Sequence, residues 1–331
     1  MDIKGLQKSQ ANQDTANASF LPWLEANNKR FPDKVFIHSL EQNRSITYGE
    51  MYDLARRIGR DLHGRGIGLN DRVALLSNNS LEHLAVYIAT LAYGATICTI
   101  HVEMNAAYFE SILNATEAKL VLYEDGLDLE KLAGQVPGDW LALGALEANA
   151  NTGYFAELDR QLHGDWVTLR HNRDHIASIF YTSGTSSTPK GVVCSYGELY
   201  DNTEPTADAF GMNENDRILD FRSFNWMSAQ VLSALGPLCK GATLLMAKRF
   251  SQSRFFDWVR DHRATISAGN PTVINMLINR PSDIRAADIP DFRFITSSSA
   301  PLMVEDWRRF EELYGIKICQ GYGSSETGWI A

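Results

Sequence analysis

The chain is short of cysteine, long apolar runs and positive charge, and each shortage removes a class of protein. Its four cysteines, Cys98, Cys194, Cys239 and Cys319, are scattered with no C-x-x-C pair. Such spacing supports neither a disulfide framework nor a zinc knuckle, and predicts reduced, mostly structural thiols. No apolar run reaches the roughly 18 residues of a membrane-spanning helix. The charge balance is acidic, 31 Lys and Arg against 40 Asp and Glu for a net charge of −9. Binding nucleic acid or an anionic membrane would need a basic patch to neutralise phosphates, so both are excluded as main partners. Residues 1–18 are polar and lack the apolar core of a signal peptide, which predicts a cytoplasmic protein. Short-period repeats and low-complexity tracts are also missing.

What is present is an ordinary globular composition, 44% hydrophobic and 21% charged over 331 residues. At roughly 150 residues per domain, that length predicts two lobes around sizeable cores. Short β-rich runs alternate with helical patterns, the signature of an α/β fold. Met51, Leu54, Ile58 and Leu62 recur on one helical face while Arg56, Arg57, Arg60 and Asp61 fall on the other, and Gly64 closes the helix. A buried strand at 72–77 leads to a helix cap in Asn78, Asn79 and Ser80, then a helix over 81–93 stopped by Gly94, then a strand at 95–100. Periodicity fades over 134–174, which reads as a surface connection between lobes. Further strands are expected at 177–181, 217–220, 242–246, 292–296 and 316–319. Trp307, Phe310 and Leu313 mark a helix ended by Gly315. The expected division is a polar segment over 1–19, a first α/β lobe with its connection over 20–172, and a second α/β lobe over 173–331.

One loop carries most of the chemistry. Residues 181–191 read Tyr-Thr-Ser-Gly-Thr-Ser-Ser-Thr-Pro-Lys-Gly, with six hydroxyls, two glycines and a lysine in the ten positions after Tyr181. Hydroxyls and free backbone N–H groups can cradle phosphate oxygens, Lys190 adds a mobile positive charge, and Gly184 and Gly191 allow close backbone approach. A solvated Ser/Thr loop is the plain alternative. The P-loop pattern G-x-x-x-x-G-K-[ST] does not fit, since Pro189 precedes the lysine and Gly191 follows it. A second segment, 320–328, reads Gln-Gly-Tyr-Gly-Ser-Ser-Glu-Thr-Gly and follows an expected strand. By itself it is a glycine-rich turn.

Together the two segments resemble the adenylate-forming superfamily: acyl-CoA synthetases, adenylation domains of peptide synthetases, and luciferases. The family loop T-S-G-[ST]-[ST]-G-x-P-K-G is matched by Thr182, Ser183, Gly184, Thr185, Ser186, Pro189, Lys190 and Gly191, with Ser187 in place of a glycine. The resemblance implies that Thr182, Ser183, Gly184, Thr185, Ser186, Thr188 and Lys190 bind ATP phosphates. It also implies that Gly321, Tyr322 and Gly323 border adenine, Ser325 binds the α-phosphate, and Glu326 helps hold Mg²⁺. Lys190 and Glu326 are the expected catalytic pair, and a carboxylate beside a phosphate does need a hard cation between them. Residues 297–302, Ser-Ser-Ser-Ala-Pro-Leu, resemble a G-G-A-P-L stretch. That places Ser299, Ala300 and Pro301 at the adenine and Ser297 and Ser298 at the floor of the acid pocket. Asn225 and Trp226 fall at an aromatic-His element near the acid, with Asn225 replacing the His. Residues 270–273 resemble a pocket-side V-P-x segment, and 46–48 and 71–74 resemble the family's N-terminal lobe.

The implied architecture is the large N-terminal α/β domain of acyl-CoA synthetases, two lobes of sheets flanked by helices, without the C-terminal domain. The implied reaction is ATP-dependent acid–CoA ligation through an acyl-adenylate, with ATP, Mg²⁺ and CoA taking part. A catalytically incomplete nucleotide-binding or scaffold relative, or a stand-alone amino- or aryl-acid adenylating enzyme, are the alternatives. The sequence stops three residues after Gly328, at Ala331. The expectation is a fragment of a longer ligase, with a naturally short protein second. Apolar surface near this end should then need cover, from a missing C-terminal domain or another copy. His171 and His175 lack the glutamate of H-E-x-x-H and read as exposed loop residues. Cys194 has no basic neighbour in sequence and reads as a packed thiol.

Overall fold

The computed structural model describes residues 18–147, 151–160, 164–182 and 189–330. Its strands, in chain order, are β1 (Val35–Ser39), β2 (Arg44–Thr47), β3 (Arg72–Leu76), β4 (Thr96–Ile100), β5 (Leu120–Tyr123), β6 (Asp139–Ala142), β7 (Ile176–Thr182) and β8 (Lys190–Ser195). They continue with β9 (Arg217–Asp220), β10 (Thr243–Met246), β11 (Ile266–Ser267), β12 (Phe294–Ser297), β13 (Lys317–Gln320), β14 (Gly323–Ser324) and β15 (Gly328–Trp329). One sheet has the order β6-β5-β3-β4-β7-β8, the other β13-β12-β11-β9-β10-β1-β2, and β14 and β15 form a separate hairpin. Both large sheets are parallel except for one antiparallel edge strand each, β8 beside β7 and β2 beside β1.

Alternation along each parallel strand assigns its side chains to two cores. Val73 and Leu75 of β3 enter the central core, while Ala74 and Leu76 enter a second one on the opposite face. Leu244 and Met246 of β10 likewise face the central core and Leu245 faces outward. A strand buried on both faces must be apolar at every position, which explains the continuous runs in the sequence. The central core encloses the helices Tyr48–Gly64 and Leu81–Tyr93, packed between strands of both sheets. Every residue of Leu81–Tyr93 is buried, as an all-round apolar helix requires. Ser80 caps it by accepting a bond from the His83 N–H, and Gly94 ends it at a φ of 104°. The outer face of the first sheet is covered by the helix Phe109–Thr116. The outer face of the second is covered by Phe255–Asp261, Pro271–Asn279 and Val304–Tyr314. The α/β architecture of two sheets flanked by helices is thus the one expected.

Three expectations change. The stretch 134–174 is more than a connection: it holds β6, which extends the first sheet beside β5, and the helix Tyr154–Arg160, whose Tyr154, Phe155 and Leu158 enter the central core. The sheets also do not part at 172/173. β7 and β8 belong with β3–β6, whereas β1 and β2 join strands from the second half. Finally, His171 is half-buried against Tyr196, their ring centroids 4.0 Å apart, so it is no free loop residue. Cys194 is a packed thiol as expected, its pKa pushed up to about 12 by burial. Near the end of the chain Met303, Val304, Tyr322 and Ile330 are exposed apolar side chains. No helix among the described residues is long and apolar enough to cross a membrane.

Candidate active site

Parallel strands deliver their following loops to one end of a sheet, where α/β proteins place their ligands. Here the segments around the ends of β4, β7, β9, β12 and β13 meet at one cleft of about 590 Å³. Its walls are Thr99, His101, Glu103 and Met104 from β4, Tyr181 from β7, Asn225 to Ser228 after β9, Ser298 and Ser299 after β12, and Gly323 to Glu326 with Gly328 and Trp329 after β13.

The hairpin after β13 forms the polar mouth. Ser324 and Thr327 hydroxyls lie 3.1 Å apart, Thr327 Oγ1 accepts the Ser324 N–H at 3.2 Å, and Ser324 Oγ accepts the Glu326 N–H at 3.2 Å. This turn holds Ser325 and Glu326 at the cleft. The hydrogen bond from Ser324 lowers the pKa of the exposed Glu326 carboxyl, which keeps it ionised. Trp329 closes the hairpin: its indole N–H donates to Ser228 O at 3.3 Å, and its ring lies where a Cβ on Gly321 would approach to 2.2 Å.

The opposite wall is built by buried amides. Asn225, only 2% exposed, donates from Nδ2 to Ser77 O at 2.9 Å and to Ser223 Oγ at 3.1 Å. Gln230 donates to Thr99 Oγ1 at 3.1 Å and to Phe224 O. Ser77 also meets His83 Nδ1 at 3.0 Å, and burial lowers the His83 pKa to about 4, so the ring stays neutral. His101 lies under Trp226, centroids 6.2 Å apart, and burial lowers its pKa against the opposing pull of Glu103. Glu103 is itself paired with Arg249.

Of the site residues expected from sequence, Asn225, Trp226, Ser298, Ser299, Gly323, Ser325 and Glu326 come together on this cleft. Ser297 is the fully buried last residue of β12. Ala300, Pro301 and Tyr322 are exposed beside the cleft without lining it, and Gly321 lies beneath the Trp329 ring. Lys190 is the exposed first residue of β8, opposite Thr182 in the antiparallel pair. Ser183, Gly184, Thr185, Ser186 and Thr188 lie outside the described residues, and Thr182 is described by its backbone alone. Asn270, from the segment likened to V-P-x, caps the helix Pro271–Asn279 by accepting the Val273 N–H at 2.9 Å.

Sequence reading missed Thr99, His101, Glu103, Met104 and Trp329. His101 and Glu103 stood directly after a well-marked parallel strand, which was signal enough to nominate them. Ser299 was expected beside the adenine, with no backbone role. In the structure it holds a φ of 73°, the left-handed region that favours glycine. Ser299→Gly should therefore stabilise the fold by about 0.5–1 kcal/mol. A raised urea midpoint at constant slope would confirm this, and a lowered midpoint would refute it.

A family model described as AMP-binding enzyme matches residues 24–331. The chain belongs to that family. Among curated relatives, a sulfoacetate–CoA ligase of Cupriavidus necator is 27% identical over 311 residues, 90% of this chain and 58% of the relative. The long-chain-fatty-acid–CoA ligase FadD13 of Mycobacterium tuberculosis is 27% identical over 85% of this chain and 55% of its own length. An oxalate–CoA ligase of Arabidopsis thaliana is 26% identical, over 92% and 60% respectively. The chain thus spans a little over half the length of these relatives. Among solved structures, ATP-bound MatB of Rhodopseudomonas palustris superposes with a TM-score of 0.83 at 22% identity, covering 95% of this chain and 61% of that one. The inhibitor-bound N-terminal domain of FACL13 from Mycobacterium tuberculosis gives 0.80 at 24% identity, over 93% and 76%. Both likenesses establish the shared fold.

Proposed function

We propose that this AMP-binding chain carries the acid-activating site of an ATP-dependent, AMP-forming carboxylic acid–CoA ligase that works in the cytoplasm. One observation carries the reading: the Ser324–Thr327 turn, with Ser325 and Glu326, opens onto the same cleft as Asn225, Trp226 and Ser298. A nucleotide phosphate held at the turn and an acid held against the amide wall would share one cavity. An acid carboxylate oxygen would attack the α-phosphorus of ATP; the bond to the β-phosphate oxygen breaks and pyrophosphate leaves. The CoA sulfur would then bond to the acyl carbon of the acyl-adenylate and AMP would depart.

Positioning and charge neutralisation dominate such a transfer. Lys190, with Thr182, Ser183, Gly184, Thr185, Ser186 and Thr188, would hold the outer phosphates. Ser325 would bind the α-phosphate. Tyr322 would pack on adenine, bordered by Ser299, Ala300, Pro301, Gly321 and Gly323. Glu326 would supply a protein ligand to Mg²⁺. Glu326 has the chemistry for that ion, a hard oxygen donor on the cleft wall beside Ser325. A carboxylate at the cleft mouth suits a magnesium that arrives with phosphates and keeps most of its waters. When bound, Mg²⁺ would offset phosphate charge.

The test is pyrophosphate release by this chain across a panel of acids, with Lys190→Ala alongside. Removing a cation from the phosphate site should slow release roughly 10–100-fold. Equal rates would take Lys190 out of the mechanism. Saturable Mg·ATP binding with no release for any acid is the result that a nucleotide-binding relative and an incomplete ligase share, and the Lys190→Ala comparison is then read on Mg·ATP affinity.

A further inference from the structure

The acid wall of the cleft holds an acceptor that the protein itself leaves unused. Asn225 Nδ2 is committed to a carbonyl, Ser77 O, and that bond fixes the amide so that Oδ1 points away from it. Oδ1 is buried and has no partner among the described residues. Buried polar atoms are nearly always paired, so an unpaired acceptor on a cleft residue marks a place for a donor from outside. The surroundings repeat the pattern. Gln230 is fully buried, its Nε2 is tied to Thr99 Oγ1, and its Oε1 likewise lacks a partner. Gln230 opens a π-helical run, Gln230–Leu235, a distortion found mostly where helices serve a site.

Charge sharpens the reading. Two described cations near this wall are ion-paired, Arg222 with Asp220 and Arg249 with Glu103, while Arg222 Nη1 is buried without a partner of its own. A second carboxylate or sulfonate on the substrate would meet amide oxygens there, and Arg222 and Arg249 already have carboxylate partners. A hydroxyl or amino group would find its acceptor waiting. Size is bounded as well. β9, which leads to Asn225, lies three strand spacings from β13, which leads to Ser325 and Glu326. At the sheet that is about 14 Å, room for a compact acid beside a nucleotide phosphate.

Building on the adenylate-forming reading above, we propose that the site selects compact acids bearing an O–H or N–H donor, and that Asn225 Oδ1 reads that donor. Gln230 is a positioning residue, since it acts through Thr99, whose hydroxyl donates to the Asn225 backbone O at 3.5 Å. Rejection of diacids follows from the same acceptor.

The experiment measures the affinity of this chain for acyl-sulfamoyl-adenosines, stable mimics of acyl-adenylates. Matched acyl groups are compared: benzoyl and straight chains of two to six carbons, each plain, with hydroxyl or amino substituents at every position, and with a carboxyl. The expected result is at least one donor-bearing acyl group binding tenfold or more tighter than its parent, with every carboxyl version weaker. In Asn225→Leu that pair should converge to within threefold while the parent still binds. Should Asn225→Leu fail to fold, Gln230→Met reads the same ratio and should shrink it at least threefold. Native affinities within threefold for every pair, or a ratio unchanged in the variants, would overturn the proposal. Folded protein that binds no member of the series would overturn the adenylate-forming reading itself.

Discussion

Replacing Asp220 by alanine is expected to destabilise the fold by about 3–5 kcal/mol. Asp220 ends β9 and is fully buried, and Arg222 is 4% exposed beside it. The guanidinium Nε lies 3.1 and 3.2 Å from the two carboxylate oxygens, and Nη2 lies 2.7 Å from one of them. Ser233 Oγ adds a bond at 2.6 Å. Removing the carboxylate leaves a guanidinium in the core with no counter-charge, a far larger cost than losing an exposed pair. The double variant Asp220→Ala, Arg222→Met should recover most of the loss, because an apolar side chain of similar length needs no partner. Urea unfolding of the two single variants and the double measures this. A loss under about 1 kcal/mol for Asp220→Ala would show that water reaches the pair.

The pair also bears on the cleft. Arg222 Nη2 lies 3.4 Å from Ser228 O, the carbonyl that also accepts the Trp329 indole N–H. Arg222 and Trp329 therefore meet at one carbonyl, between the loop after β9 and the hairpin after β13. A variant that loosens Arg222 should weaken ligand binding as well as stability. Asp220→Asn, which keeps the shape and one acceptor, should separate the two effects by retaining more stability than alanine.

None of this coupling was legible in the sequence, for a physical reason. Local pattern reports which face of an element is apolar, and it did so well wherever an element was long or sharply capped. The helix Leu81–Tyr93 has its expected bounds because Ser80 and Gly94 terminate it by hydrogen bonding and a left-handed turn. β9 coincides with the expected 217–220. Elements made by tertiary pairing escaped: β11 is two residues long, and β6 is a partly exposed edge strand in a turn-rich stretch. The pairing of β1 with β10 joins Ile37 to Leu244, a contact no window of sequence contains.

The candidate site divides the same way. Ser325 and Glu326 were legible as cleft positions through the family resemblance, because one short turn carries both. Asn225 was legible as a position but not as a role, since the role depends on Ser77, far along the chain. Ser299 was legible as a hydroxyl but not as a strained residue, since φ is set by how the chain leaves β12.

Gly323→Ala is expected to cost at least tenfold in affinity for an acyl-adenylate mimic while barely moving the global unfolding transition. A Cβ at Gly323 would sit 2.2 Å from Gly328 O and 3.1 Å from Trp329 Cα. Both neighbours are backbone, so relief requires the two strands of the hairpin to separate. The pairing at risk is short, Gly323 with Trp329 and Ser324 with Gly328. It is pinned from outside by Asn202, which donates to Trp329 O at 2.8 Å and accepts from its N–H at 3.0 Å. Gly328 adds a φ of 67° and would place a Cβ 2.6 Å from the Asn202 side chain, so the clamp and the glycines depend on one another. Opening the hairpin displaces Ser325 and Glu326 from the cleft but exposes little of the central core. Tyr322→Ala is the control: its side chain is 68% exposed, so truncation should leave the hairpin intact and lower affinity only through the stacking on adenine proposed for it. Titration calorimetry beside thermal melts reads both variants. Full affinity in Gly323→Ala would show that the hairpin yields without moving its acidic turn, and would overturn the prediction.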